Sequence, residues 1–356
     1  MVSQAPAFWW QPRGLKAWGL SPFAWLYGRI TGRRMRRAAR GAAGLPVICV
    51  GNFTVGGAGK TPTALALAKA AREKGYTPGF LSRGYGGTVK QPTLVDPARH
   101  GADAVGDEPL LLSRFAMTVV CRTRIEGARL LAQSGADLII MDDGFQSARL
   151  HVDLAVIVID ARRGIGNGLP LPAGPLRAPM AEQIRQLSVL LKIGEGTGAD
   201  PVVRQVARAG KPVLQARLRR HDALSLQGAR VLAWAGIADP EKFFATLCEA
   251  GAEIVDRQVF ADHHLLTTEE IADLLGRSKA GRLQLVTTSK DHVRLAAGPG
   301  ISGRLAAESA VVEVELAFDD PAAPGRLVEQ AMGQGRLRLL GVAQPEPAAG
   351  ATTSRR

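Results

Sequence analysis

Residues 50–63 read VGNFTVGGAGKTPT, with Gly56, Gly57 and Gly59 crowded ahead of Lys60-Thr61. Upstream, LPVICVGN (45–52) is short, apolar, rich in β-branched residues and bounded by Pro and Gly-Asn. That is the pattern of a buried parallel strand. Downstream, TPTALALAKAAREKG (61–75) has Pro62 where a first helical turn would fall and Gly75 at its end, the pattern of a helix. A strand, a glycine loop and a helix in this order turn successive backbone N–H groups toward one point. The helix N-terminus adds positive potential there, so the loop makes a cup for phosphate oxygens. The glycines let backbone approach where a Cβ would intrude. Lys60 would then reach the β- and γ-phosphates of ATP, and the Thr61 hydroxyl would bind Mg²⁺. Thr54 stands where the pattern GxxxxGK[ST] has its first glycine. A glycine-rich turn without function is the competing reading; the flanking strand and helix favour the phosphate loop.

A phosphate loop of this kind works with an acid at the end of another apolar strand. ADLIIMDDGFQ (136–146) supplies Asp142 and Asp143 after such a run. One carboxylate would hold Mg²⁺ directly or through water and the other would support it. Read alone, Asp142-Asp143-Gly144 is also an ordinary turn after a strand.

Further strands are expected at 77–82, 117–122, 136–142, 154–160 and 188–193, with helical stretches between several of them. Alternating strands and helices imply an α/β fold with a mostly parallel sheet. Ligands of such sheets gather at the carboxyl ends of the strands. LSRGYGG (81–87), VGDEP (105–109) and RRGIGNGLPLPAGPLRAP (162–179) fall there. A smaller second α/β domain is expected over 205–342, after a P-loop kinase domain at 45–204. Its strands would lie at 212–218, 230–236, 253–260 and 282–288, and its helices at 240–250 and 268–277. AQPEPAAGATTSRR (343–356) reads as a disordered tail.

The 356-residue chain carries a formal charge of +13, and nearly all of it sits at one end. Residues 1–72 hold eleven Lys and Arg and no acid, so the remainder is close to neutral. A nucleic-acid binder would more often spread basic charge across a folded face, so no nucleic-acid partner is expected. No obligate protein partner is inferred. The three cysteines form no CxxC pair and the six histidines no HExxH spacing, which argues against a disulfide framework or thiolate zinc site. Trp9, Trp10, Trp18 and Trp25 precede RITGRRMRRAAR (29–40). Aromatic rings favour the headgroup level of a bilayer, and arginines favour anionic phosphates. Within this segment the uncharged run Ala17–Gly28, 12 residues, falls short of the roughly 20 residues of a span. Residues 1–44 therefore read as a helical segment lying on an anionic membrane surface. A transit peptide, an RNA-binding arm, or aromatics packed on the following domain are the alternatives.

VGNFTVGGAGKTP, LSRGYGG, VGDEP, DDGFQ, VIDARRGIGNGLPLPAGPLR, FADHH and LVTTSKD occur in that order over about 45–292. Together they resemble the tetraacyldisaccharide 4′-kinase family of lipid A biosynthesis, whose own pattern includes the departure at Thr54. The resemblance implies transfer of the γ-phosphate of ATP to the 4′-hydroxyl of a lipid disaccharide 1-phosphate. It also implies peripheral attachment at the cytoplasmic face of the Gram-negative inner membrane. Carried over by motif, Thr54, Gly56, Gly57, Gly59, Lys60, Thr61 and Gln146 would bind nucleotide. Thr61, Asp142, Asp143 and Glu108 would serve Mg²⁺. Asp107 would be the base, with His263 sharing its proton and Lys60 completing the catalytic set. Arg83, Tyr85, Arg124 and Arg177 would contact phosphate or acceptor. From the residues alone, Asp107 reads first as a carboxylate at a helix start, and only the resemblance lifts it above that; His263 competes with His264, and plain surface charge is the alternative for Arg124. Ser147-Ala148 and Ser289 depart from the family's usual His-Tyr and Glu. A membrane-associated P-loop ATPase switch is the alternative function; it would need Lys60, Thr61 and Asp142 but neither Asp107 nor His263.

Overall fold

A computed structural model describes residues 5–37, 41–147, 149–220, 225–237, 239–262, 264–296 and 300–341. His263, Ala148 and the expected disordered tail lie outside the described residues. After a 3₁₀ turn at Ala7–Trp10 come α1 (Leu15–Arg36), β1 (Val47–Asn52), α2 (Lys60–Glu73), β2 (Pro78–Ser82) and the short β3 (Thr93–Leu94). Then follow α3 (Ala102–Val105), α4 (Asp107–Ser113), β4 (Thr118–Val120), α5 (Arg124–Gln133), β5 (Leu138–Asp142) and β6 (Leu154–Asp160). Next are α6 (Met180–Gln186), β7 (Val189–Ile193), α7 (Asp200–Arg208) and β8 (Val213–Arg220). The chain continues through β9 (Arg230–Ala235), α8 (Pro240–Glu249), β10 (Glu253–Val259), α9 (Thr268–Gly281), β11 (Gln284–Thr288) and α10 (Ser289–Ala296). It finishes with α11 (Ile301–Glu308), β12 (Ser309–Val312), β13 (Val314–Phe318) and α12 (Ala323–Leu339).

Two sheets result. The larger has nine strands in the order β13-β8-β7-β6-β1-β5-β2-β4-β3, and the smaller has four in the order β10-β9-β11-β12. Within the larger sheet only β3 and β13 run antiparallel to their neighbours. All three pairings of the smaller sheet are parallel. β1 is buried along its whole length because both its faces are covered. Ile48 and Val50 point to the side packed by α2 and α12, while Val47 and Cys49 join Leu131 of α5 and Val202 and Val206 of α7. β1 pairs with β5 on one side and β6 on the other, so the chain reverses its winding there. The carboxyl ends of these strands therefore flank a crevice.

The chain path corrects the expectation for 212–218. That strand, β8, does not open the second unit; it pairs in parallel with β7, from Leu190↔Val213 to Ile193↔Ala216. The smaller sheet begins only with β9. After β12 the chain returns, β13 pairing antiparallel with β8 and α12 packing on α2. Alternating polar residues in β8 read as a half-exposed strand, and nothing local specifies its partner.

α1 runs through Pro22. Proline removes the N–H that would bond the carbonyl of Trp18, and Ser21 Oγ donates to that carbonyl at 2.7 Å instead. No helix among the described residues is long and apolar enough to cross a membrane. Gly28 and Gly32 let α1 sit close against Pro170, Pro179 and Glu182 of the long loop and α6. Trp9 is buried and donates from Nε1 to the carbonyl of Pro172 at 2.9 Å. Trp18, Phe23, Trp25, Leu26 and Ile30 remain exposed on the other side.

Candidate active site

The glycine loop joins β1 to α2 as expected. Gly59 caps α2 with φ of 90°, and a Cβ there would lie 2.6 Å from Cδ1 of Ile193 at the end of β7. Asn52 Nδ2 donates to the carbonyl of Gly56 at 2.8 Å, closing the loop on itself. Thr54 is buried and meets the 162–179 loop in an antiparallel bridge to Leu176. The next amide, Val55, donates to the carbonyl of Pro175 at 2.9 Å. A threonine is thus accommodated where the usual pattern has glycine, because this stretch is laid against a second loop.

Asp142 ends β5, and Asp143 follows in the left-handed region at φ 53°. That turn separates the two carboxylates. Asp143 meets Arg177 Nη1 at 2.5 Å and Lys60 Nζ at 3.5 Å. Burial would raise its pKa, but Lys60 and Arg177 outweigh it and hold the carboxyl down to about 2. Asp142 is 2% exposed, and its Oδ1 has no hydrogen-bond partner. Burial, reinforced by the charge of Glu108, pushes Asp142 up to about 7 against the pull of Lys60. Arg177 also donates from Nε to the carbonyl of Thr54 at 3.0 Å, so one guanidinium ties the glycine loop to the acidic turn.

Gln146 donates to the carbonyl of Asn52 at 2.7 Å and to Oε1 of Gln183 at 2.9 Å. Arg124 does not line the cleft. It is buried and donates from Nη2 to the carbonyls of Asp142 (3.4 Å) and Asp143 (3.2 Å), supporting the acidic turn from behind. Arg83 is exposed, and Tyr85 is 79% exposed; both line the cleft.

Asp107 opens α4, following Gly106 at φ 90°; a Cβ on Gly106 would lie 2.6 Å from the carbonyl oxygen of Tyr85. The amides of Thr88 and Val89 donate to the carbonyl of Ala104, which fixes the approach of the LSRGYGG loop to α3. Asp107 is 6% exposed and its Oδ1 accepts from the amide of Glu108 at 3.0 Å. Glu108, expected at the metal, meets Lys290 at 2.6 Å. Burial opposes ionisation of Glu108, yet Lys290 and Lys60 draw its pKa below the usual range. The four-stranded unit thus faces the P-loop unit across one cleft of 2510 Å³, lined by Lys60, Thr61, Asp107, Asp142, Asp143 and Arg177 on one side and Asp262, Ser289 and Lys290 on the other.

His264 is committed elsewhere. Its ring stacks on Phe260 at 5.4 Å, and Nε2 lies 3.0 and 2.9 Å from the two carboxylate oxygens of Glu270. Glu270 also closes the capping box of α9 with Thr267. These contacts hold the His264 ring in place; His263 lies outside the described residues.

The sequence matches the tetraacyldisaccharide-1-P 4′-kinase family over residues 16–332. The chain belongs to that family. The tetraacyldisaccharide 4′-kinase of Rhizobium meliloti (strain 1021) is 58% identical over 340 residues, covering 96% of this chain and 98% of that protein. The tetraacyldisaccharide 4′-kinase of Agrobacterium fabrum (strain C58) is 56% identical over 340 residues, with the same coverage. Among solved structures, "apo" form LpxK from Aquifex aeolicus in complex with ATP shares the fold, with TM-score 0.67 and 24% identity, over 89% of this chain and 99% of that one.

Seen as a member of the tetraacyldisaccharide 4′-kinase family, the chain has site residues that sequence reading passed over. Asn52 and Gln183 brace the nucleotide loop, and Lys290 and Arg294 reach the VGDEP carboxylates from the other unit. Lys290 lies inside the family stretch LVTTSKD and carried a signal. Arg294, three residues beyond it, carried none.

Proposed function

We propose that this protein transfers the γ-phosphate of ATP to the 4′-hydroxyl of tetraacyldisaccharide 1-phosphate, with the acceptor presented from the membrane surface. One observation carries the reading: Lys60, Arg177, the Asp142-Asp143 turn and the Asp107-Glu108 pair converge on one cleft between a phosphate loop and a second unit. A phosphate loop alone would serve an ATPase switch equally. A second carboxylate pair on the same wall of the cleft fits an acceptor hydroxyl that must lose a proton.

The backbone amides of Gly56, Gly57 and Gly59 receive the phosphate oxygens, and Lys60 moves from Asp143 toward them. Thr61 and Asp142 fit Mg²⁺. The unpartnered buried oxygen of Asp142, with its raised pKa, is what a carboxylate awaiting a cation looks like. No cluster of three or more His, Cys, Asp or Glu side chains forms a ready metal cage among the described residues. Magnesium usually takes most of its ligands from water and substrate phosphates. When bound it neutralises charge on the transferring phosphoryl group. Arg177 adds positive charge beside the same group. Asp107 accepts the proton of the 4′-hydroxyl, with His263 sharing it, a step worth roughly 10²–10⁴-fold. Arg83 and Tyr85, exposed at the rim, contact the acceptor.

The exposed ridge of α1, from Trp18 to Ile30, supports a peripheral membrane site, with Arg29, Arg33 and Arg34 set among it for anionic headgroups. The placement at the cytoplasmic face of the inner membrane follows from where ATP and a lipid acceptor meet. The test is transfer of labelled phosphate from ATP to tetraacyldisaccharide 1-phosphate in mixed micelles, comparing native protein with Asp107→Ala. Transfer lost by a hundredfold or more in the variant, about the general-base scale, supports the reading. Free phosphate released equally by both, with no transfer, overturns it.

A further inference from the structure

α10 projects two cations, Lys290 and Arg294, one helical turn apart, and each meets one of two consecutive carboxylates on the other unit. Lys290 Nζ lies 2.6 Å from Oε1 of Glu108. Arg294 donates to Oδ2 of Asp107 from both Nε (3.1 Å) and Nη2 (2.7 Å). Its remaining nitrogen, Nη1, donates to the carbonyl of Gly236 at 2.9 Å and to Oδ1 of Asp291 at 2.6 Å. The guanidinium is 6% exposed and does not line the cleft, so it sits behind Asp107 rather than beside a substrate. Such a fork fixes a carboxylate in direction as well as charge, which an ammonium cannot do. The opposite edge of Asp107 is fixed too, because Oδ1 accepts from the Glu108 amide.

We propose that Arg294 is the positioning residue for Asp107, supplied by the four-stranded unit, so that the base carboxylate is oriented only while that unit is docked. Asp291 and Gly236 hold the guanidinium in turn, which makes the support rigid on the side that delivers it. The inference rests on the proposed role of Asp107 as base.

The experiment compares the native protein, Asp107→Asn, Arg294→Ala and Arg294→Lys in the micelle transfer assay, with melting temperatures recorded for each. Arg294→Ala is expected to lower kcat roughly 10–100-fold, the scale for lost outer supports of reactive groups. KM for ATP is expected to stay within about twofold, because the interaction is not one made in binding nucleotide. Millimolar guanidinium is expected to restore part of the loss in Arg294→Ala and none in Asp107→Asn. Arg294→Lys, which keeps the charge without the fork, is expected to fall between native and Ala, and it carries the test if the Ala variant does not fold. Native kcat in the Arg294 variants, beside a collapsed Asp107→Asn, overturns the inference alone. So does a loss that follows the melting temperature and ignores guanidinium. Native turnover in Asp107→Asn overturns the reading of the base and the inference with it.

Discussion

Asp142 and Asp143 are adjacent in the chain, yet burial pushes one carboxyl up to about 7 while Lys60 and Arg177 hold the other down to about 2. The left-handed turn at Asp143 is the cause. It aims one carboxylate at two cations and leaves the other buried at the cleft wall with an unpartnered oxygen. Paired titratable groups driven apart in this way mark a division of roles.

The first consequence is a pH dependence of stability. Asp142 has a folded pKa above its ordinary 3.8, so the native state keeps a proton that the unfolded chain releases. Its contribution is complete below that ordinary value and is lost as pH rises through about 7. Asp142→Asn is expected to raise the melting temperature at pH 8 by a few degrees and to flatten the decline between pH 4 and 7, measured by calorimetry without nucleotide or metal. The same variant is expected to lose Mg²⁺-dependent turnover by about 10²-fold or more, the scale for a removed charge-stabilising group.

Arg177 joins the glycine loop to Asp143 through both ends of its guanidinium. Arg177→Lys keeps the charge but cannot make both contacts. It is expected to lower kcat by roughly 10²–10³-fold, nearly as far as Arg177→Ala. Steady-state kinetics with native-like turnover in the Lys variant would show that charge alone suffices.

Gly57 and Gly59 lie two residues apart and are expected to fail differently when replaced by alanine. At Gly59 a side chain meets Ile193 Cδ1 at 2.6 Å in a backbone conformation of φ 90°. Gly59→Ala should cost about 1–2 kcal/mol of stability from the left-handed backbone alone. At Gly57 nothing lies within 4 Å of the place a methyl group would take. Gly57→Ala should melt like the native protein but bind ATP more weakly, because a methyl group there would enter the space the proposed function assigns to phosphate. Thermal melts beside nucleotide titration separate the two.

Trp18 and Trp25 are 61% and 66% exposed on one side of α1, and the helix is held to the body through its opposite side. Trp18→Ser with Trp25→Ser should leave the melting temperature unchanged and weaken sedimentation with anionic vesicles by about tenfold or more, since each ring buries substantial apolar area at the interface. Undiminished vesicle binding would place the membrane contact elsewhere.

Much of the P-loop unit was legible because its signals are local. A buried strand, a glycine loop and a helix cap follow one another within about 25 residues of sequence, and each has a short-range physical cause. The end of β5 at Asp142 was readable for the same reason. The assignment of β8 to the larger sheet was not, because strand partnership is settled by which core a half-apolar segment completes. Arg124 read as a phosphate or acceptor contact, with surface charge as the alternative, since nothing in its neighbours announces that the carbonyls it holds are those of Asp142 and Asp143.

By itself the sequence determined the phosphate loop, the acidic turn, the alternation of strands and helices, and a basic aromatic start. These follow from backbone preference and the period of apolar residues, which act over a few positions. Only the tertiary structure decided that the chain leaves the nine-stranded sheet after β8 and returns through β13 and α12. It alone brought Lys290 and Arg294 against carboxylates more than 180 residues earlier in the chain. Such pairings depend on long-range packing and on the removal of charges from water, and no local pattern encodes either.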